Sequence, residues 1–383
     1  MNDFTTVFEA LKGLLPMKYF EDIVEYTNAD HGAKKLTALR HLCILMYAHL
    51  KEKKSLRDIT SGISADPNLQ EYTGTISYSQ LSRKNSDRDP EVFEQMFQAI
   101  VYQVVLYQGI RDIPSTWGDI KILDATLIRV CLSLFPWAHY RKAVGAVKMH
   151  TLIDLVSDCP EKIVITDGKI HDRDKMDSFV TKPGITYIFD RGYTDYGEYD
   201  RLCMDDIFFI SRLKKNAVME VVSENQVSRD SNVLSDKEVF LGGFYTRMKN
   251  TVRIIEVMDI SKGESFFIVT NRFDLSAEEI AQIYRLRWRV ELFFKWIKQH
   301  LKIKRFYGTS YNAVLNQIYD ALILYCVLKL LHIQLGSGYN FLEMVRLIAG
   351  GLWNPFMVLK ETLKPTGQKS TRRRFNWKKT YKN

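Results

Sequence analysis

The sequence predicts an α/β protein in which a helical region precedes a sheet-forming region. Apolar residues recur at spacings of three and four up to about residue 112, which is typical of amphipathic helices. From Asp119 onward, segments rich in Val, Ile, Leu and Thr alternate with Pro, Gly and charged turns, which indicates strands. Between about 214 and 275 short β-rich segments follow one another without a helical period, which predicts a β-rich insertion.

The predicted elements after the front helices follow the order βββαβαβ. Three strands are predicted by IKILDATLIRVCL, GAVKMHTLIDLV and EKIVITDG, followed by the helix DRDKMDSFV, the strand ITYIFD, the polar segment YTDYGEYDRLCMDD and the strand IFFISRL. Ser276 with Glu279 three residues later forms a capping-box pattern, which predicts one long helix running to about residue 302. Two more helices are predicted at about 313–335 and 339–350.

These elements suggest a domain organisation for the 383 residues. We expect a helical N-terminal domain at 1–115, a catalytic domain at 116–335 with the β-rich insertion at 214–275 inside it, a helical segment at 336–363 and a basic tail at 364–383.

Composition excludes several classes of protein. Apolar residues make up 46% and charged residues 26%, which excludes wholesale disorder. The five cysteines form no CxxC pair, so the sequence offers neither a disulfide framework nor a zinc site. The first residues have no signal-peptide pattern, and the apolar 316–335 stretch contains Asp320 and Lys329, so we expect a cytoplasmic protein with no membrane span.

The positive charge is concentrated at the end of the chain. The formal net charge is +9, of which the last 20 residues carry +8. Because Phe375, Trp377 and Tyr381 are interleaved with these cations, the tail predicts phosphate contacts and base stacking. The alternative is a solvated end that aids solubility. In the front region, SLRDITSGIS and SYSQLSRKN weakly resemble a helix-turn-helix whose second helix displays Gln80, Arg83 and Lys84. The alternative is that these three residues form an ordinary solvent-exposed helix face.

Polar side chains converge on one stripe of the predicted long helix. On a helical wheel at 100° per residue, the opposite face is apolar and would dock on a core. The stripe could be no more than a surface salt-bridge ladder. Its members are Tyr284, Arg287, Trp288, Glu291, Lys295 and Lys298.

Two aspartates lie where a carboxylate is costly. Asp124 interrupts the apolar strand ILDAT, and Asp190 ends the strand in YIFDRGY. Asp190 could instead cap a turn and Asp124 could pair with a core arginine. If both meet Glu291, three carboxylates could bind hard divalent ions for phosphodiester chemistry. Such a metal site requires the three acids to lie close together and not to be locked against an arginine.

These residues carry a family resemblance. Tyr284, Arg287, Glu291 and Lys298 reproduce the spacing Y-(2)-R-(3)-E-(6)-K, which resembles the signature of IS4-family insertion-sequence transposases. ILDAT and FDRGY resemble that family's two catalytic aspartate segments, and TDGKIHD resembles the strand and turn before its first helix.

The resemblance implies a ribonuclease-H-like catalytic domain with a mixed five-stranded sheet, and Asp124, Asp190 and Glu291 as a DDE triad holding two Mg²⁺ ions, with Mn²⁺ as a substitute. It further implies cut-and-paste transposition, in which DNA is the partner, a homodimer pairs the ends, and no small-molecule substrate is used. In a bacterium the protein would act in the cytoplasm at the nucleoid. Phosphate contacts would come from Tyr284, Arg287 and Lys298, and base stacking from Trp288.

Other residues have weaker links to this site. Lys295 lies on the stripe but outside the signature, and Arg191 could contact DNA or neutralise the acids. Lone histidines and the acids at 154, 167, 172 and 174 are interpreted as structural or turn residues. Two other functions remain open: a DNA-binding remnant without turnover, and a ribonuclease-H-like nuclease without a joining step.

Overall fold

The computed structural model describes residues 5–108, 113–228, 230–260, 262–300, 305–336 and 340–363. It divides into two compact units. The first is drawn from Met1–Gly109, Cys131–Trp137 and Lys295–Asn383, and the second from Ile110–Val130 and Ala138–Phe294. The basic tail at 364–383 lies outside the described residues.

The helices and strands are numbered separately along the chain. The helices are α1 (Val7–Gly13), α2 (Met17–Tyr26), α3 (Ala38–Leu50), α4 (Leu56–Ala65), α5 (Pro67–Thr73), α6 (Tyr78–Asp87), α7 (Glu91–Gln108), α8 (Met176–Phe179), α9 (Tyr196–Met204), α10 (Ala277–Arg285), α11 (Trp288–His300), α12 (Tyr311–Leu335), α13 (Phe341–Gly350) and α14 (Phe356–Thr362). The strands are β1 (Ile120–Val130), β2 (His139–Arg141), β3 (Val144–Asp154), β4 (Cys159–Asp167), β5 (Thr186–Phe189), β6 (Phe208–Leu213), β7 (Met219–Asn225), β8 (Val233–Leu241), β9 (Val252–Asp259) and β10 (Glu264–Thr270).

Helix α12 forms the core of the first unit. It packs against α3, α6, α7 and α13, and most of its side chains are buried. Among the described residues it is the one helix long and apolar enough to cross a membrane, with a mean hydropathy of 1.6, yet 72% of that window is buried inside the protein. It therefore packs as the core helix that the sequence predicts at 313–335.

The predicted helix-turn-helix is a three-helix arrangement instead. The turn-rich stretch between the two expected helices folds into α5, because the Asp66 side chain caps its N-terminus, Pro67 suits its first turn, and Gly74 ends it with a φ of +66°. Gln80, expected to face DNA, closes the capping box of α6 with Ser77. Its amide oxygen is therefore engaged within the helix that carries it.

The second unit is built on a mixed ten-stranded sheet. Strand β3 is antiparallel to β1 and β4, whereas β5 is parallel to both β1 and β6. The five strands β4-β3-β1-β5-β6 give the predicted mixed sheet with ribonuclease-H-like order, and the short β2 at its edge was not predicted. Because β1, β5 and β6 are parallel, their carboxyl ends lie at one edge of the sheet.

The insertion is a continuation of this sheet. Its strands β7, β8, β9 and β10 pair antiparallel in sequence, and β10 pairs with β6. The β character predicted for 214–275 is correct. The pairing of β10 with β6 joins this β module to the catalytic sheet, which periodicity could not indicate.

The predicted long helix after Ser276 is interrupted. The helix α10 ends at Arg285 and α11 begins at Trp288. Across the junction the backbone N–H groups of Leu286, Arg287 and Val290 donate to carbonyls three residues earlier, so the chain is wound more tightly than an α-helix. The straight helical wheel therefore fails at Arg287, and the expectation of one continuous helix to about 302 is wrong.

Candidate active site

Asp124 lies inside β1 and Asp190 directly follows β5, side by side just beyond the last parallel pair of the two strands. Ile122 of β1 is in register with Ile188 of β5, and each aspartate follows its isoleucine by two residues. Neighbouring strands lie about 4.8 Å apart, and side chains two residues apart point to the same face. The two carboxylates therefore project from adjacent strands toward one side of the sheet.

The carboxyl group of Asp124 is largely buried. One oxygen accepts a hydrogen bond of 2.8 Å from the N–H of Ala125. Burial raises the pKa of Asp124 to about 7, and the negative charges of Asp190 and Glu291 add to this, while the Ala125 N–H and the Arg287 guanidinium oppose it. Burial and the repulsion from the two other acids outweigh the stabilisation by the Ala125 N–H and Arg287. The negative charge of Asp124 is therefore only partly compensated by its surroundings.

Asp190 also shapes the turn that follows its strand. Its Oδ1 accepts a hydrogen bond of 2.8 Å from the N–H of Gly192, and its main-chain carbonyl accepts one of 3.3 Å from Ser211 Oγ. A Cβ at position 192 would stand 2.9 Å from Asp190 Oδ1, so glycine leaves room for this carboxylate. The turn-capping role left open by the sequence is thus present, and it holds the carboxylate at the strand end.

Glu291 is linked to Asp124 through an arginine. It lies in the first turn of α11, with 34% of its side chain exposed. The guanidinium of Arg287 binds Glu291 Oε1 and lies 3.2 Å from Asp124 Oδ2. Arg287 thus bridges two of the three predicted triad acids, which is the arginine pairing that the sequence left open as the alternative to a metal site.

Tyr284 and Arg212 border the same edge. Tyr284 is 8% exposed, and its ring centroid lies 6.0 Å from that of Phe266, over which Arg212 stacks at 4.9 Å. Burial raises the pKa of Tyr284, against the influence of the cations of Arg287 and Arg212. Because Ser211 is in register with Phe189, Arg212 stands beside Asp190 at the end of β6. Sequence reasoning missed Arg212, because only the register of β6 with β5 places it beside Asp190.

The remaining predicted site residues lie in different settings. Trp288 is 58% exposed at the start of α11. Lys295 and Arg191 are exposed, and Lys298 is partly buried. Lys295 and Lys298 lie farther along α11 in the part assigned to the first unit.

A second acidic group was underestimated from sequence. Asp172 does not cap the turn that it begins; its Oδ1 lies 3.0 Å from Lys148 Nζ and 4.0 Å from His150 Nδ1. The buried ring of His150 also contacts Thr166 at 3.1 Å, and burial lowers the pKa of His150 to about 4, so this histidine is neutral near pH 7. Asp172 is therefore held by an ion pair with a strand residue and not by a capping hydrogen bond.

The three acids offer the carboxylate oxygens that a hard divalent cation prefers. Within the part of the chain that the structure describes, no three His, Cys, Asp or Glu side chains stand ready to hold one ion together. Arg287 supplies the positive charge between Asp124 and Glu291. Cation binding by all three acids therefore requires Arg287 to release at least one of them.

Two family models match this chain. The family described as "Transposase DDE domain" matches residues 118–327, which contain all three acids. A domain of unknown function, DUF4372, matches residues 4–76 in the helical front.

Similar proteins from bacteria include three named as transposases. One from Sinorhizobium fredii is 33% identical over 216 residues, covering 55% of this chain and 60% of that protein, so the match spans less than two thirds of its length. One from Geobacillus stearothermophilus, for the insertion sequence element IS5377, is 27% identical and covers 92% of each chain. One from Synechocystis, for IS4SA, is 26% identical over 71% of this chain and 77% of that protein. A solved piggyBac transposase synaptic complex with hairpin DNA is 11% identical, with a TM-score of 0.49 over 97% of this chain and 84% of that one.

Proposed function

Because the chain belongs to the family of transposases with a DDE domain, we propose that it moves an insertion sequence by cut-and-paste transposition, with Asp124, Asp190 and Glu291 as its catalytic acids. The observation that supports this most directly is the placement of Asp124 and Asp190 on adjacent parallel strands, with Asp124 joined to Glu291 through Arg287. The reaction begins when a water oxygen attacks the phosphorus at the element end and the bond to the 3′ oxygen breaks. The freed 3′-OH then attacks the phosphorus of a target phosphodiester, and the bond from that phosphorus to the target's own 3′ oxygen breaks, which joins the element end and releases a target 3′-OH.

Members of this family generally depend on divalent metal ions. The three carboxylates would hold two Mg²⁺ ions, with Mn²⁺ as a substitute, and ions so bound activate the attacking oxygen and stabilise the leaving oxygen. The crowded charge around Asp124, whose pKa is raised to about 7, supports cation binding at this position. In this proposal the protein's own carboxylates set where the reacting phosphate lies.

Arg287 has a second role in this proposal. In the structure its guanidinium is shared between Asp124 and Glu291. A phosphate of the DNA end is a matched alternative partner, because a guanidinium fork binds phosphate oxygens in the same bidentate way. Arg287 would therefore leave the acids as DNA and metal enter, and the arginine pairing becomes the DNA-free state of the site.

The other signature residues would bind the DNA end. Tyr284 and Lys298 would contact non-bridging phosphate oxygens, and Lys295 and Arg191 would add weaker phosphate contacts. The exposed indole of Trp288 is suited to stack on a flipped base. Such stacking would also support a hairpin intermediate.

The protein would act as a homodimer on paired inverted repeats, in the cytoplasm of a bacterium at its nucleoid. The helical front at 1–115 and the basic tail would help to recognise the ends.

Two experiments separate the alternatives. A DNA-binding remnant would bind element ends without nicking them in Mg²⁺. A nuclease without joining activity would nick the ends but give no inserted product when a supercoiled target is supplied.

The central test is Glu291→Gln. This variant keeps the shape of the side chain but removes its charge, so we expect end binding within about twofold of wild type and cleavage reduced by about 10³-fold or more. The measurement is gel-shift binding and single-turnover cleavage of an end duplex in Mg²⁺. Glu264→Gln, at an exposed position of β10, is the matched control and should cleave normally. Cleavage by Glu291→Gln at the wild-type rate would remove Glu291 from the mechanism.

A further inference from the structure

Asp172 and Asp190 approach each other across Gly192. A Cβ built on Gly192 would stand 2.9 Å from Asp190 Oδ1 and 3.6 Å from Asp172 Oδ2, so both oxygens lie against the same small volume. The other oxygen of Asp172 is turned inward, 3.0 Å from Lys148 Nζ. The two oxygens of Asp172 thus differ: one is paired with a buried lysine, and the other lies beside Gly192, as does Asp190 Oδ1.

Asp172 comes to the strand ends from the face of the sheet opposite to that of Asp124. Lys148 is in register with Leu127, an odd number of residues from Asp124, so by alternation the two side chains point to opposite faces. Leu123, on the Lys148 face, packs in one core with residues of α8 and α9. Asp172 therefore adds a carboxylate from the side that the DDE signature does not cover.

A buried tyrosine directly follows Gly192. Tyr193 is 1% exposed, and its hydroxyl has no hydrogen-bond partner among the described residues. Burial raises the pKa of Tyr193 well above its ordinary value. The negative charges of Asp172, Asp124 and Asp190 raise it further, with smaller effects. A buried hydroxyl without a partner is costly, and a bound water or ion is the usual way to satisfy it.

We propose that Asp172 is a further cation-binding carboxylate of this site, sharing a hydrated divalent cation with Asp190 while the Tyr193 hydroxyl bonds to the water of that cation. This inference rests on the proposed function for the identity of the metal. Mg²⁺ keeps several of its waters in proteins, so direct contact with one carboxylate and contact through water with the other is an ordinary arrangement. Lys148 fixes Asp172 in place by pairing with its other oxygen and by donating to the Ile170 carbonyl.

The competing explanation is a purely structural ion pair. Lys148 is 8% exposed, and a buried lysine needs a partner whatever the function of Asp172. Asp172→Asn alone would leave that lysine unpaired and lower stability in either case. The double variant Lys148→Met/Asp172→Asn removes both charges and so tests the cation separately from the ion pair.

The experiment measures Mn²⁺ binding to the full-length protein by the loss of the free Mn²⁺ signal in electron paramagnetic resonance, with thermal unfolding followed in parallel. Loss of an outer carboxylate partner typically weakens metal binding about 10- to 100-fold. We expect about tenfold weaker Mn²⁺ binding in both Asp172→Asn and the double variant, with the double variant recovering thermal stability. Asp174→Asn, on a half-exposed neighbour paired with Arg173, is the matched control and should bind Mn²⁺ as wild type does.

The outcomes separate this inference from the proposed function. Wild-type Mn²⁺ affinity in the double variant would overturn the role of Asp172 and leave the ion pair as structural, and a wild-type protein that binds no Mn²⁺ would overturn it as well. Mn²⁺ binding that depends on Asp172 in a protein that never cleaves an end duplex would uphold this inference and overturn the proposed function. If Asp172→Asn raises the Mg²⁺ concentration for half-maximal cleavage by the same factor as it weakens Mn²⁺ binding, both the inference and the proposed function are supported.

Discussion

At the scale of single residues, Arg287 decides the state of the site. Its guanidinium is 19% exposed and contacts both Asp124 and Glu291, so two acids of the triad share one cation. This guanidinium can exchange its carboxylate partners for a phosphate of the DNA. DNA binding is thereby coupled to release of the two acids. The same residue thereby stabilises the DNA-free site and serves the bound one.

Arg287→Lys tests this exchange. Lysine keeps the charge but loses the planar fork, so it cannot hold both carboxylates or both phosphate oxygens in a bidentate way. We expect cleavage of an end duplex to fall by about 10²- to 10³-fold, in the range found when one transition-state donor is removed. Single-turnover kinetics would measure it, with Arg285→Lys at an exposed position of α10 as the control. A decrease of less than about threefold would show that the fork is not used.

At the scale of elements, the sequence predicts strands and helices well where burial is periodic. The five strands of the mixed sheet and the β character of 214–275 follow from alternation and β-branched content. The break between α10 and α11 cannot be predicted from the sequence pattern, because no Pro or Gly marks it. Arg287, which lies at the break, is instead paired with Asp124 of a distant strand. Local pattern cannot report contacts made with a strand more than a hundred residues away.

The sequence likewise predicts some residues of the candidate site and misses others. Asp124 and Asp190 could be found because an acid inside an apolar strand is conspicuous. Asp172 lies in a polar turn, where acids are common, and only the pairing with Lys148 of β3 distinguishes it. Arg212 required the β5–β6 register, which places it beside Asp190. Register and turn packing are tertiary properties, so neither residue could be selected from composition or spacing.

The pairing of α3 with α6 gives the helical unit a predictable response to acid. His41 of α3 is fully buried and lies 3.2 Å from Asn85 Oδ1 of α6. Burial lowers the pKa of His41 to about 3, with Arg88 and Lys84 acting in the same direction and the Asn85 contact opposing them. His41 therefore binds a proton below about pH 6.5 in the unfolded chain, but only near pH 3 in the folded chain. Stability is fully present above about pH 6.5 and is lost as pH falls toward 3.

His41→Gln should flatten this response, since glutamine can keep a hydrogen bond to Asn85 without titrating. In wild type, this histidine should contribute a loss of about 1.4 kcal/mol per pH unit to the free energy of unfolding below pH 6.5. Urea unfolding between about pH 7 and pH 5, followed by helical circular dichroism, would measure the slope. His31→Gln, at an exposed position, should keep the wild-type slope. Equal slopes in wild type and His41→Gln would mean that other groups control the response.

At the scale of the whole molecule, charge separates the chain into a nearly neutral body and a basic end. The formal net charge is +9, of which the last 20 residues contribute +8. Charges so concentrated act on nucleic acid mainly by releasing counterions, which makes their contribution strongly salt-dependent and nearly independent of sequence. Recognition of the ends and general attraction to DNA can therefore reside in different parts of the chain.

Removing residues 364–383 tests this separation. Each phosphate that the tail neutralises adds about 0.9 to the slope of log K against log salt on duplex DNA, so eight cations set an upper limit of about 7 on the change. We expect weaker binding to any duplex at low salt and a clearly smaller salt slope, while the preference for end DNA over random DNA is retained. Fluorescence anisotropy over a salt series with both duplexes would measure it. An unchanged slope would make the tail a solvated end, whereas loss of end preference would mean that Phe375, Trp377 and Tyr381 help to read the sequence.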